Sequence, residues 1–306
     1  DASAMTGALS MGAAAASGVT TITGGTGSDT LVGDAASTIS GGAGNDAITG
    51  GSGNDTLSGG AGNDTITTNA GTDAVTGGAG NDTLTFGANL SALDTVDGGD
   101  GTDTISLTNA SLTTLNALSV SEANTFNASF NNVEKLTITD ALNQGTFDIG
   151  YLDSVSTVKL ASSTGAETLS GLDSGDTVQL TETLGAALTL SVNNASTGSA
   201  DVINVGLVGS TDDDYISVSI ANVETMNFDA TETTASDAVE VATIGMAITQ
   251  ATSGGAQTVN FTGTESFTVD TAIAAGTIDA SGMTIAVKTQ AALTMSTAHT
   301  KAQTIT

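Results

Sequence analysis

Five aspartates stand nine residues apart, Asp46, Asp55, Asp64, Asp73 and Asp82, and each closes a short turn-forming hexapeptide. From Gly41 to Thr85 the units read GGAGNDAIT, GGSGNDTLS, GGAGNDTIT, TNAGTDAVT and GGAGNDTLT. Four of them carry glycine at positions one, two and four: Gly41, Gly42, Gly44, Gly50, Gly51, Gly53, Gly59, Gly60, Gly62, Gly77, Gly78 and Gly80. A carboxylate beside unobstructed backbone carbonyls is an all-oxygen donor set, which suits a hard cation. Ca²⁺ takes about 6–8 such oxygens in flexible geometry, whereas Mg²⁺ demands a stricter octahedron and keeps its waters.

The elements that position these aspartates follow from the same nine residues. Glycine enters positive φ without steric penalty, so the first six residues predict a tight turn. The last three predict a short strand whose middle residue, Ile48, Leu57, Ile66, Val75 or Leu84, points opposite to its small polar neighbours. One turn reverses the chain and two restore it, so each coil takes eighteen residues and each strand lies parallel to the strand one coil later. The fold predicted is a flattened spiral of two parallel sheets. It stacks Asp46, Asp64 and Asp82 on one edge and Asp55 with Asp73 on the other, about 4.8 Å apart. Like charges at that spacing repel, and one aliphatic side chain per nine residues makes a thin core. A cation between successive turns supplies the missing cohesion.

These units, with GGTGSDTLV from Gly24 to Val32 and GGDGTDTIS from Gly98 to Ser106, resemble the calcium-binding nonapeptide repeats of RTX proteins. The resemblance implies an all-β, right-handed parallel β-roll that holds several Ca²⁺ ions between stacked turns through the position-six Asp and turn carbonyls. Carried over by position, the ligands are Asp29, Asp46, Asp55, Asp64, Asp73, Asp82 and Asp103, with Asp100, Gly24, Gly98 and Gly99 in the flanking units. Three departures carry expectations. Gly33 to Ser40 is one residue short and puts Ser37 in the aspartate position, so the site beneath Asp55 needs Asp34 as a substitute. Thr68 to Asp73 lacks the first two glycines and should bind more weakly. Asp82 and Asp103 are 21 residues apart, which predicts an insertion around Phe86 to Val96 that breaks the register. The plain alternative, Asx-type turns with solvated carboxylates, does not account for five copies in one frame.

Composition narrows the partners. Across 306 residues, Lys and Arg total 4 against 33 Asp and Glu, a net charge of −29. Without a basic patch to neutralise phosphates, nucleic acid and anionic membrane surfaces are excluded as partners, and cations are favoured. The absence of Cys removes disulfide and thiolate-metal frameworks. No apolar run reaches the ~18 residues of a membrane span. Asp1 follows neither a Met nor a basic leader and reads as an internal or processed start. Catalysis is not expected: the single His, His299, excludes an HExxH zinc site, and no G-x-S-x-G elbow occurs.

Along the chain, residues 1–20 read as a connector from an upstream segment or a poorly formed first coil, residues 21–107 as the roll, and residues 108–306 as a β-rich solenoid or sandwich-like region. Between Ser111 and Phe130, Leu112, Leu115, Leu118, Phe126 and Phe130 lie at helical spacing, with Ser121 and Glu122 in a first turn; this predicts a short helix capping the open end of the roll. Strands are predicted at Lys135–Thr139, Thr157–Ala161, Thr177–Thr181, Leu188–Val192, Val202–Val208, Tyr215–Ile220, Met226–Phe228, Thr258–Phe261, Ser266–Val269 and Thr284–Val287. A Glu recurs at the strand starts VEKL, AETL, TETL, VETM and TESF; Glu134, Glu224 and Glu265 open strands ending in Asp140, Asp229 and Asp270. The plain reading is a repeated strand start, the sharper one an extra Ca²⁺ ligand. Asp176 and Asp212 to Asp214 read as further ion sites or as exposed turns.

GGDGTDTISL followed by NVEKLTITDA resembles, more narrowly, the RTX-type surface-layer proteins of bacteria, over Gly98 to Phe228. That resemblance implies type I secretion, an extracellular place on the bacterial cell surface, calcium-dependent assembly into a two-dimensional homo-oligomeric array, and attachment to polysaccharide through a segment outside this chain. The alternatives are an adhesin or ice-binding module, or the secretion and folding tail of a larger secreted enzyme. Thr30, Thr56, Thr65 and Thr83 with Asn54, Asn63 and Asn81 form an outward ladder, interrupted by Ala47 and Ala74, that reads as serving solubility.

Overall fold

A lone aliphatic residue per strand, flanked by turns that only glycine fits, leaves stacking on the next coil as the one way to bury apolar surface, and that is what the chain does. A computed structural model describes residues 6–12, 20–143, 145–181, 188–193, 201–207, 215–221, 223–230, 241–249, 258–263, 266–269, 277–283 and 288–289. Two compact units divide the chain: Asp1–Thr139 with Tyr151–Val155, and Asp140–Gly150 with Ser156–Thr306.

In the first unit the strands are β1 (Ser10–Gly12), β2 (Thr20–Thr23), β3 (Thr30–Val32), β4 (Ser37–Ala43), β5 (Ala47–Thr49), β6 (Thr56–Ala61), β7 (Thr65–Thr67), β8 (Ala74–Ala79), β9 (Thr83–Gly87), β10 (Thr95–Asp100) and β11 (Thr104–Leu107). Helices α1 (Asn109–Asn116) and α2 (Val120–Ala128) follow, then β12 (Phe130–Asn131) and β13 (Lys135–Ile138). One sheet runs β1-β3-β5-β7-β9-β11-β13 and the other β12-β10-β8-β6-β4-β2, with parallel pairing throughout. The aliphatics stack in register: Ile48 on Ile66 on Leu84 on Ile105 on Leu136 in the first sheet, and Ile22 on Ile39 on Leu57 on Val75 on Val96 on Phe130 in the second. All of them are buried and form the core between the sheets. Within residues 1–20, expected as connector or first coil, β1 already pairs with β3.

Two expectations are corrected here. The insertion at Phe86 to Val96 breaks the register only locally: Ser106 pairs with Thr85 but Leu107 with Gly87, so the pairing slips by one residue at Phe86, while beyond the insertion Val96 still pairs with Val75. Phe86 and Leu90, the latter within the inserted segment, are both buried. The predicted helix is two helices, and they do not cap the roll: the chain returns from them to lay β12 on β10 and β13 on β11. They are an excursion within one coil. Leu112, Leu115 and Phe126 are buried, and the Phe126 and Phe130 rings lie 5.7 Å apart. Ser119 starts α2 with a capping box closed by Glu122, so the cap lies two residues before Ser121.

The second unit holds β14 (Thr146–Asp148), β15 (Thr157–Leu160), β16 (Glu167–Leu172), β17 (Thr177–Leu180), β18 (Leu188–Val192), β19 (Val202–Leu207), β20 (Tyr215–Ala221), β21 (Thr225–Ala230), β22 (Val241–Thr249), β23 (Thr258–Gly263), β24 (Ser266–Val269), β25 (Thr277–Met283) and β26 (Lys288–Thr289). One of its sheets runs β15-β17-β19-β21-β23-β25 and the other β14-β16-β18-β20-β22-β24-β26, again all parallel, which makes it a solenoid and not a sandwich. Its coils vary in length: the stacked amides of Asn204, Asn227 and Asn260 are 23 and then 33 residues apart. The predicted strand Thr284–Val287 lies outside the described residues; β16 begins at the Glu of AETL, an expected strand start, whereas β14, β22, β25 and β26 were not foreseen.

Because each coil rests on one aliphatic layer, Ile66→Ala should cost about 2–5 kcal/mol. Leu93→Ala, at a position 71% exposed, should change stability by less than ~0.5 kcal/mol. Denaturant unfolding in saturating calcium measures both.

Candidate metal centre

One hydrogen bond repeats at every turn of the roll. The residue just before each strand presents its N–H to the carboxylate of the matching residue one coil later. Leu9 donates to Asp29 Oδ1 at 2.7 Å, Asp29 to Asp46, Asp46 to Asp64, Asp64 to Asp82 and Asp82 to Asp103, each at 2.7 Å. Asp103 then donates to Glu134 Oε2 at 2.8 Å. On the opposite edge Ser37 donates to Asp55, Asp55 to Asp73 and Asp73 to Asp94 at 2.6–2.8 Å. The edges predicted from the spacing are those observed, and each carboxylate spends one oxygen on a charge-assisted bond to backbone.

The other oxygen decides the chemistry. Asp46, Asp64, Asp82 and Asp103 are at most 2% exposed, and their Oδ2 atoms are buried without a hydrogen-bond partner. Each faces the space beside a position-one glycine. A Cβ built on Gly59 would lie 2.2 Å from Asp64 Oδ2 and 2.6 Å from the Gly77 carbonyl oxygen. The Gly41 space has Asp46 Oδ2 and the Gly59 carbonyl, and the Gly77 space has Asp82 Oδ2 and the Gly98 carbonyl. A buried anionic oxygen left unpaired is costly, and here it stands with a carbonyl around a space that glycine keeps open. Among the described residues no three acidic, imidazole or thiolate side chains converge on one point, so carbonyls must complete the donor set. Carboxylate and carbonyl oxygens around a compact space fit Ca²⁺. Position-two glycines Gly42, Gly60, Gly78 and Gly99 take φ of 103–123° against the preceding coil's carbonyl, which explains why they cannot carry side chains.

Burial pushes the carboxyls of Asp64 and Asp73 up to about 6 and also raises Asp46, Asp55, Asp82, Asp94 and Asp103. Neighbouring ladder charges add to the rise at Asp64, Asp73 and Asp103, and the backbone N–H bonds oppose it.

The two edges are not equivalent. Asp55 Oδ2 accepts the Gly51 N–H at 2.8 Å and Asp94 Oδ2 the Ser91 N–H at 2.7 Å, so both carboxylates are used twice. Gly50 keeps a space bounded by Asp55 Oδ2 and the Thr68 carbonyl, matching those of Gly41 and Gly59. In the Thr68–Asp73 turn a buried Thr68 stands in the position-one place, and Asn69 at φ 67° gives its Nδ2 to the Gly50 carbonyl at 3.0 Å. Ser37 occupies the aspartate position as expected, and Asp34 gives its backbone carbonyl to Ser52. On the first edge, Asp29 Oδ2 accepts the Gly25 N–H beside Gly24. Asp100 is exposed at turn position three, its carbonyl accepting from Gly80, outside the buried ladder.

Two members of the ladder were missed. Asp94 stands before Thr95-Val96 in the same frame as its counterparts, and the signal was present in DTVDGGD. Glu134 had been noted only as a strand start or extra ligand; it takes the aspartate's place outright. Glu167 accepts the N–H of Gly145 and Glu224 that of Asp201 in the same way. Asp176 instead closes its own turn through the Asp173 N–H. Asp212 to Asp214, Glu182, Glu265, Asp270 and His299 lie outside the described residues. The position-five asparagines also have a structural duty: Asn45 Oδ1 accepts from Asn63 N–H, Asn63 from Asn81 and Asn81 from Thr102. Solubility does not exhaust their role.

Residues 15–37, 23–57, 33–66, 49–84 and 93–108 match the model of the RTX calcium-binding nonapeptide repeat (4 copies). The chain therefore carries RTX calcium-binding repeats, and the matched segments contain every aspartate of the ladder, Asp94 included, while Glu134 lies beyond them. No curated protein matches the chain. In a calcium-loaded roll, Asp46, Asp64 and Asp82 with the carbonyls of Gly59, Gly77 and Gly98 would hold ions, whose charge would compensate the buried carboxylates.

Gly59→Ala puts a methyl group into one such space and should weaken calcium binding by about tenfold, ~1.4 kcal/mol, in a calorimetric titration; an unchanged affinity would place the ion elsewhere. Carboxyls raised from 3.8 to about 6 in the folded state make the calcium-free fold bind more protons than the unfolded chain. Its stability is therefore greatest below the unfolded value and is lost as pH rises through about 6. Far-UV circular dichroism in chelator should show less β structure at pH ~7 than at pH ~4, with the difference abolished by calcium.

Proposed function

We propose that this is a non-catalytic, secreted structural protein that folds outside a bacterial cell when it meets calcium and assembles there into a surface layer. The single observation behind this reading is the row of buried, unpartnered carboxylate oxygens at Asp46, Asp64, Asp82 and Asp103, which makes the folded roll dependent on cations. Where calcium is scarce, as inside a cell, carboxylate repulsion keeps the chain open and fit for export by a type I route. Outside, each ion binds only the folded form and stabilises it by mass action, about 1.4 kcal/mol per site at tenfold over its Kd. Extracellular calcium modules with affinities of roughly 10⁻⁴–10⁻³ M suit that switch.

Assembly is supported by charge and by pattern. A chain of net charge −29 repels its own copies until divalent ions bridge them. The recurrence of a carboxylate-bearing strand start at Glu134, Glu167 and Glu224 gives geometric content to the resemblance with surface-layer proteins. Electron microscopy of the purified protein should show ordered two-dimensional sheets after addition of millimolar calcium and none in chelator. A calcium-loaded protein that stays monomeric while binding cells, glycan or ice would replace this reading with an adhesin.

A further inference from the structure

The ladder does not end where the nonapeptide frame ends. From Gly98 to Asp103 the turn has the glycine-rich form, but one coil later its counterpart is Asn132-Val133-Glu134. Asp97 pairs with Asn131 and Thr104 with Lys135, so Asn132 stands over Gly98 and Glu134 over Asp103. The turn is three residues shorter, and a side chain one methylene longer makes up the reach. Glu134 Oε2 takes the Asp103 N–H at 2.8 Å, as Asp82 Oδ1 takes that of Asp64.

Asp103 is 0% exposed, and its Oδ2 has no hydrogen-bond partner. It faces the space beside Gly98, where a Cβ would lie 2.7 Å from Asp103 Oδ2 and 1.8 Å from the Asn132 carbonyl oxygen. That carbonyl takes the place filled by Gly59, Gly77 and Gly98 in the preceding coils. Asn132 aims it there from a left-handed backbone, φ 52°, a conformation Asn tolerates better than most residues. Its own Nδ2 is tied to Asp97 Oδ1 at 2.8 Å, which fixes the turn.

We propose that a divalent hard cation of the calcium class binds between Asp103 Oδ2 and the Asn132 carbonyl, with the Glu134 carboxylate adding charge, at a site that joins the last nonapeptide turn to a turn beyond the repeats. The site rests on the calcium reading of the ladder and extends it. Its consequence is specific: the 31 residues from Asp103 to Glu134 include α1 and α2, so the ion closes the coil that carries both helices. Holding those ends together removes the loop-closure cost of the excursion and makes the order of the helices calcium-dependent.

The test is the number of calcium ions bound per chain at saturation, by equilibrium dialysis, in the wild type, Glu134→Gln and Asp64→Asn. Both substitutions keep an oxygen to accept the backbone N–H and remove the charge. Loss of one ion in each variant supports the proposal. One ion lost from Asp64→Asn and none from Glu134→Gln overturns this site and leaves the ladder intact; none lost from either overturns both. If Glu134→Gln does not fold, broad-specificity proteolysis of the wild type decides. Calcium should suppress cleavage within both 104–134 and 41–85, and persistent cleavage in the former alone contradicts the proposal.

Discussion

Every coil of the first unit is joined to the next by a carboxylate that grips one backbone N–H and leaves its second oxygen facing inward. The first half of that arrangement is ordinary capping of a buried donor, which a protein must satisfy somehow. The second half is unusual, because on one edge four successive carboxylates are buried with that oxygen unpaired. Such a stack raises the carboxyl pKa values through burial and stores repulsion along the axis. A calcium ion between turns converts both costs into attraction.

The rest of the composition follows from that constraint. Position-one glycines leave the space that an ion needs, and position-two glycines let one coil's backbone approach the carbonyl of the coil before. The aliphatic layer stays thin because the strands are short, so the apolar core aligns the coils while the ions bind them together. Asparagine at position five uses its amide to bond the next turn's backbone on the outer rim. Where the glycine pattern lapses, at Thr68 and Asn69, a side-chain amide takes over a carbonyl.

What the sequence revealed and what it hid have the same physical cause. Strict nine-residue spacing fixed the coil length, the two edges and the stacked aliphatics, so Asp46 through Asp82 were placed correctly from residue type alone. Once coil length varied, spacing stopped carrying the signal. Asp94 was overlooked because three extra residues precede it, although its local frame is intact. Glu134 was overlooked as a ladder member because a shorter turn with a longer side chain reaches the same backbone donor, a substitution that appears only when β11 and β13 are seen in register. The helices were legible as apolar spacing, yet their place inside a coil was not, since nothing local distinguishes an excursion from a cap. In the second unit, strands with clear alternation were found and those built from small residues, such as β22 and β25, were not.

The central claim is that ions, and not the apolar core alone, hold the roll together. Amide hydrogen exchange resolved by peptide across residues 24–107, at neutral pH with and without calcium, bears on it most directly. The account predicts that strands β3 to β11 are strongly protected in calcium and exchange nearly as fast as an unfolded chain in excess chelator. Equal protection in both conditions would contradict it.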